Sequence, residues 1–188
     1  MQLDKIYKRN TNPNLYHEQE CQHNCGSFAL GVTGWYSPYI TDDEVDEDSE
    51  LWQYVESERA SWIRELVLEG YDRWDIMETV TYRDFEFILK TCPWLRPIKE
   101  EEIDPKDRVI AYRLSLEIPS EPEEFDIEEC GDFHFRVLIG GEWWEKNGAC
   151  SVHKVINAYS ENWEVDDWLV YDGPIMYAKF VEDTIPCG

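Results

Sequence analysis

A cysteine at the expected start of a helix is the first residue whose chemistry stands out. Cys25, Gly26 and Ser27 open a short apolar stretch, 25–32, which favours a buried helix. A thiol at a helix N-terminus has a lowered pKa, because the unpaired backbone N–H groups and the helix dipole stabilise the thiolate. Those N–H groups can also donate to an oxyanion, and the side-chain amide of Gln19, six residues upstream, can do the same. Cys25 is therefore a candidate nucleophile, and Gln19 a candidate oxyanion donor.

A histidine much further along the chain is the candidate base. His134 lies near the start of an alternating segment, 132–139. A thiolate nucleophile needs an imidazole that acts first as base and then as acid, delivered from elsewhere in the fold. The chemistry expected of such a pair is acyl transfer: the Cys25 thiolate attacks a carbonyl, and His134 protonates the leaving amine and then activates water.

The second nitrogen of that imidazole needs an acceptor that fixes its tautomer. The sequence leaves three candidates open: Asn147, Asn157 and Asp132. We slightly prefer Asn157, because Asn147 falls in the same predicted hairpin as His134 and its side chain is expected to point the wrong way.

The elements that must position these residues divide between the two halves of the chain. Helical periodicity and stop signals in the first half predict one long helix, two shorter helices and an end at Pro93; the segments are 50–69, 72–79 and 81–91. Alternating apolar residues in the second half predict antiparallel strands, with Gly140-Gly141 as a hairpin turn; the segments are 108–117, 132–139, 142–146, 167–171 and 175–181. This segregation predicts the α+β class.

Two local strings and their order resemble the papain-like cysteine peptidase superfamily. Gln19 and Cys25 have the six-residue spacing of that superfamily, and a helical lobe and a β-meander opened by a histidine follow. The sequence resembles more closely a group of poorly characterised bacterial and phage papain-like proteins, which carry the patterns D-[FY]-H-[FW]-[YR]-R and G-x-W-x-x-K-x-G. The matching segments here are Asp132-Phe133-His134-Phe135-Arg136 and Gly141-Glu142-Trp143-Trp144-Glu145-Lys146-Asn147-Gly148.

The resemblance covers about residues 19–35 and 107–150 and implies a single papain-like domain, 1–188. Its helical lobe would span 1–93, and its antiparallel β lobe 94–188. It implies a thiol hydrolase, a peptidase or amidase, with Cys25 as nucleophile, His134 as base and Gln19 as oxyanion donor. No cofactor is implied. The substrate would be a peptide or protein.

Composition limits the classes of partner. The 188 residues include 41 acidic and 17 basic side chains, a formal net charge of −24. Binding to nucleic-acid phosphates needs Lys and Arg, and anionic membranes repel such a chain, so neither is expected as a partner. A basic substrate or partner is favoured instead. We expect a cytoplasmic protein, because the N-terminal segment is polar and no apolar run is long enough to span a bilayer.

Two other functions compete with the hydrolase. One is a strongly acidic, non-enzymatic interaction or inhibitor protein, which would dock a basic partner or mimic DNA. The other is a structural zinc domain, since two short strings supply nitrogen and sulfur ligands; these ligands are Cys21, His23, Cys25, Cys150 and His153. Cys21 could also form a reversible disulfide near the nucleophile.

Overall fold

The computed structural model describes seven stretches of the chain: residues 23–32, 34–38, 50–118, 131–148, 150–155, 163–165 and 169–181. These stretches form an α+β fold whose helices precede most of the strands, as the sequence predicts. Among these residues, none of the helices combines the length and the apolar character needed to cross a bilayer.

The first described helix, α1, is short and entirely buried. It runs over Cys25–Leu30, where the apolar stretch predicts a helix. Its N-cap is Asn24, whose side-chain oxygen accepts a hydrogen bond from the Ser27 N–H at 3.0 Å. The helix ends at Gly31, whose φ of 71° suits a residue without a Cβ atom. All six helical residues are buried, so α1 lies inside the protein.

Two long helices follow. Helix α2, Glu50–Leu68, confirms the predicted helix over 50–69. The prediction of two helices over 72–79 and 81–91 is wrong, because a single helix α3 covers Arg73–Thr91. The buried stripe of α3 continues through Val80 and Thr81 without a helix-breaking residue between them. The Asp72 side chain caps the start of α3, and the helix ends just before Pro93.

The described residues form eight strands: β1 Leu95–Ile98, β2 Val109–Ser115, β3 Asp132–Ile139, β4 Glu142–Lys146, β5 Val152–Lys154, β6 Trp163–Val165, β7 Leu169–Tyr171 and β8 Met176–Phe180. Six of these strands form one sheet, in the order β1-β8-β2-β3-β4-β5, and every neighbouring pair is antiparallel. The remaining two strands, β6 and β7, pair separately.

The predicted strands of the second half are all present, and the hairpin turn at Gly140-Gly141 joins β3 to β4. Three short strands, β1, β5 and β6, were not predicted. Strand β1 contains Pro97, which normally argues against a strand, but β1 lies at the edge of the sheet and pairs only with β8.

The six-stranded sheet is covered on both faces. Helices α1 and α3 pack on one face, where alternate side chains of β3 point: Phe133, Phe135 and Val137. The β6–β7 pair covers the other face, where Leu138 packs with Trp163 and Tyr171. The intervening β3 residues, His134 and Arg136, have ring contacts on that second face. This division follows from the two-residue period of a strand.

Candidate functional site

Cys25 is the first residue of α1, as the sequence predicts, but it lies in the core. Its exposed fraction is 5%. Its thiol donates a hydrogen bond to the Phe133 carbonyl oxygen of β3, with a sulfur–oxygen distance of 3.8 Å. Tyr36 and Phe135 belong to the same apolar cluster. The cysteine therefore occupies the boundary between helix and sheet, in apolar surroundings.

The pKa of the Cys25 thiol is raised to about 12, where the sequence predicts a lowered value. Burial is the main cause, and the negative charge of Asp132 adds to it. Backbone N–H groups, including that of Phe135, favour the thiolate but are outweighed. The expectation failed because the dipole of a helix start is a small effect beside the desolvation of a fully buried thiol. At neutral pH, Cys25 is a protonated thiol.

His134 is also buried, with an exposed fraction of 2%, but it belongs to the other face of the sheet. Its Nε2 atom lies 3.2 Å from Oε2 of Glu145 on β4. Its ring packs against Tyr171 with a centroid separation of 5.2 Å and meets the Trp163 ring edge-on at 6.1 Å. The polar partner of this imidazole is thus a carboxylate, and its ring neighbours belong to β6 and β7.

The structure does not bring Cys25 and His134 together. Cys25 contacts β3 at Phe133, one residue before the histidine, so the two lie at nearly the same position along the strand. Successive side chains of a strand point to opposite faces, and the sheet therefore separates the thiol from the imidazole. The helix that carries Cys25 packs on the strand that carries His134, but the thiol and the imidazole belong to different faces of the sheet.

The other predicted site residues do not complete such a pair. Gln19 and Asn157 lie outside the described residues. Asn147 is half-buried, and its Oδ1 atom has no hydrogen-bond partner among them. Asp132 accepts a hydrogen bond from the Tyr171 hydroxyl at 2.7 Å. The carboxylate partner of His134 is instead Glu145, which no sequence motif indicated.

Glu145 is the centre of a polar cluster on the second face. Its Oε2 atom accepts a hydrogen bond from Nε of Arg136 at 2.7 Å, and its Oε1 atom lies 3.0 Å from Nε2 of His153. Burial raises the pKa of this carboxyl group, but the hydrogen bonds and positive charges of His134 and Arg136 outweigh burial and hold the pKa at about 2. Glu145 is therefore an anion throughout the ordinary pH range.

The sequence contained a signal for this cluster. The predicted hairpin at Gly140-Gly141 pairs Arg136 directly with Glu145 across β3 and β4. Opposite charges at paired positions attract each other. The hairpin register therefore identifies the pair without coordinates.

The predicted zinc ligands are not assembled in the described part of the chain. There, no group of three or more His, Cys, Asp or Glu side chains is arranged to hold a metal ion. His23 is buried and its Nδ1 atom lies near the backbone of Gly34. His153 contacts Glu145, and Cys150 is exposed. Cys21 lies outside the described residues, and so does the reversible disulfide that the sequence suggests for it.

Buried charges make the surface of the described stretches more acidic than their composition alone suggests. Within the described stretches, four cationic side chains are buried but only two carboxylates; these six are Arg59, Arg113, Arg136, Lys146, Asp84 and Glu145. Two of the cations donate to backbone carbonyl oxygens: Arg113 to Gly173 and Lys146 to Gly148. Burial therefore removes two more cations than carboxylates from the surface of these stretches.

No family model, curated protein or solved structure matches this chain. Function is therefore inferred from charge, burial and side-chain geometry.

Proposed function

We propose that this chain is an acidic binding protein that recognises a basic partner protein. The observation that carries the proposal is the charge: −24 over 188 residues, with a disproportionate share of the described cations buried. A field of this strength attracts cationic partners and speeds their association, and it repels nucleic acids and anionic lipids.

The exposed carboxylates support the proposal by their number and position. They are found on α2, in the turn that follows it, on α3, and in the 3₁₀ turn that follows β1; the residues include Glu65, Glu69, Asp72, Asp75, Glu78, Glu86, Glu100, Glu101 and Glu102. Carboxylates that are close together and solvated repel one another. A basic partner relieves that repulsion and binds more weakly as salt increases.

The test is a binding titration with a fluorescent peptide of alternating Arg and Gly, and a Glu-Gly peptide as the matched probe of opposite charge. We expect saturable binding of the basic peptide that weakens with rising ionic strength, and no binding of the acidic one. The Cys25→Ala variant should bind equally well. Absence of saturable binding at low ionic strength would overturn the proposal.

A papain-like cysteine hydrolase is the second candidate. It is favoured by one observation: the Cys25 helix packs on the very strand that carries His134. For the two residues to meet, β3 would have to change its pairing by one residue, which turns every side chain of a strand to the opposite face. That change would remove Phe135 and Val137, both fully buried, from the core. The cost of this rearrangement is the reason that binding is proposed first.

Thiol mapping separates the two candidates. Among the three described cysteines, iodoacetamide should modify the exposed Cys150 first and leave Cys25 as unreactive as Cys92, because burial raises the pKa of both Cys25 and Cys92 to about 12. Faster modification of Cys25 than of Cys150, together with peptide hydrolysis that is lost in Cys25→Ala and in His134→Ala, would favour the hydrolase.

A further inference from the structure

The outer face of α3 carries aromatic and acidic side chains in alternation. Trp74, Glu78, Tyr82 and Glu86 follow one another at four-residue intervals, and residues at this spacing lie along one face of a helix. All four are exposed, Trp74 by 58% and Tyr82 by 47%. Large aromatic side chains are mostly covered in a folded protein, so this degree of exposure is unusual.

Two more exposed apolar side chains lie close by in the sequence, at the end of α2 and in the turn that leads to α3. Leu68 is 69% exposed and Tyr71 is 49% exposed. Seven large apolar side chains are exposed in the described residues, and four of them lie here, on the last residue of α2, the turn and α3. We call Leu68, Tyr71, Trp74, Glu78 and Tyr82 the outer ridge. Such a concentration of exposed apolar residues, bordered by charges, is typical of an interaction surface.

The same two helices already hold guanidinium groups over indole rings. The Cζ atom of Arg73 lies 5.2 Å from the centroid of the Trp74 ring, and that of Arg83 lies 4.3 Å from the centroid of Trp62. Both separations fall within the range of a cation–π contact. The helices therefore offer the chemistry that recognises arginine: flat, electron-rich rings with carboxylates beside them.

We propose that the outer ridge docks an arginine-containing segment of the basic partner. The guanidinium group stacks on Tyr82 or Trp74 and pairs with the carboxylate of Glu78, and apolar residues of the partner contact Leu68 and Tyr71. Arginine is favoured over lysine, because only a planar guanidinium both stacks on a ring and binds a carboxylate through two hydrogen bonds. This inference rests on the proposed function and assigns it a site.

The test compares Arg-Gly and Lys-Gly peptides of equal length and charge on the full chain and on variants. Wild type should bind the arginine peptide more tightly. The double variant Trp74→Ala, Tyr82→Ala should weaken arginine binding about threefold to tenfold, with a smaller effect on the lysine peptide. Glu78→Gln should weaken both peptides about twofold to fivefold.

Matched controls come from elsewhere on the surface. Ile139→Ala removes an exposed apolar side chain from the end of β3, and Glu101→Gln removes an exposed carboxylate from the 3₁₀ turn. Ile139→Ala should leave the affinity for both peptides unchanged, and Glu101→Gln should weaken both peptides less than Glu78→Gln does. All the altered side chains are exposed, so circular dichroism should show intact folding in every variant.

Two failures are distinguishable. If the peptides bind but the ridge variants bind like their controls, or if wild type shows no preference for arginine, the outer ridge is not the site, and the acidic binding function stands. If neither peptide binds wild type, the proposed function itself is refuted, and the inference with it.

Discussion

Glu145→Gln tests whether the polar cluster on the second face of the sheet stabilises the protein. The substitution keeps the shape of the side chain but removes its charge. Arg136, which is 4% exposed, would then be a buried cation without the carboxylate that it binds at 2.7 Å. The amide would also be a weaker partner for His134 and His153.

The expected cost follows from burial. Breaking a buried ion pair by removing one partner costs about 3–5 kcal/mol, because the remaining charge stays desolvated. A domain of this kind is stabilised by roughly 5–15 kcal/mol, so the variant should lose a large part of its total stability. The assay is urea unfolding followed by circular dichroism, which reports the fold without relying on any one tryptophan.

The same strand supplies the control. Glu142 forms an ion pair with Lys154, and both side chains are about half exposed. Glu142→Gln should cost less than about 1 kcal/mol, because exposed pairs contribute little. Two results would refute the reasoning: an equal loss of unfolding free energy in both variants, or a loss below about 1 kcal/mol in Glu145→Gln. Either would show that Arg136 does not depend on the Glu145 carboxylate to neutralise its buried charge.

Three further predictions concern pH, the glycine that precedes β3 and a second buried carboxylate. The pKa of Glu145 is depressed from 4.5 to about 2, so its contribution is complete above about pH 4.5 and is lost as pH falls towards 2; acid titration of stability should show a loss of about 3 kcal/mol. Gly131→Ala should cost roughly 2 kcal/mol or more in urea unfolding, because φ is +98° and a Cβ atom would lie 2.1 Å from the Ser115 carbonyl oxygen. Asp84→Asn should cost about 3–5 kcal/mol, because Arg59 binds both oxygens of this buried carboxylate.

Each of these has its own control. The acid-dependent loss should be much smaller in Glu145→Gln, and an unchanged titration in that variant would assign the effect to other carboxylates. Gly70→Ala has a similar φ, +90°, but meets nothing within 4 Å, so it isolates backbone strain from the steric clash. Tyr112→Phe removes only the hydroxyl that donates to Asp84 and should cost less than Asp84→Asn; the reverse order would contradict the role of the ion pair.

The sequence was most informative where periodicity and turn chemistry agree. Alternation over 132–139 and the glycines at 140 and 141 predict the bounds of β3 and the start of β4, because a tight turn fixes the register of a hairpin. Strands β5 and β6, with three residues each, are too short for alternation to reveal. The pairing with neighbouring strands, which a single sequence does not contain, defines them.

One part of the site could not be predicted from the order of residues along the chain, namely the face of β3 on which each side chain lies. Order along the chain correctly predicts that the Cys25 helix meets the strand of His134. The six residues of α1 are apolar or small and wholly buried, however, and such a helix packs on the apolar side of β3, where Phe133 and Phe135 point. His134 belongs to the polar side. Because side chains alternate between the two faces of a strand, the sequence alone would have predicted that the sheet separates His134 from Cys25.

The two faces of β3 contact different parts of the protein, and this affects which amino-acid substitutions the protein tolerates. Side chains at odd-numbered positions stabilise the helix-packed interior, whereas those at even-numbered positions 134 and 136 contact the β6–β7 pair. Substitutions on the two sides share few neighbours, and their effects on stability should therefore be nearly additive. New chemistry could accordingly arise around Glu145 through successive replacements while the interior beneath α1 remains intact.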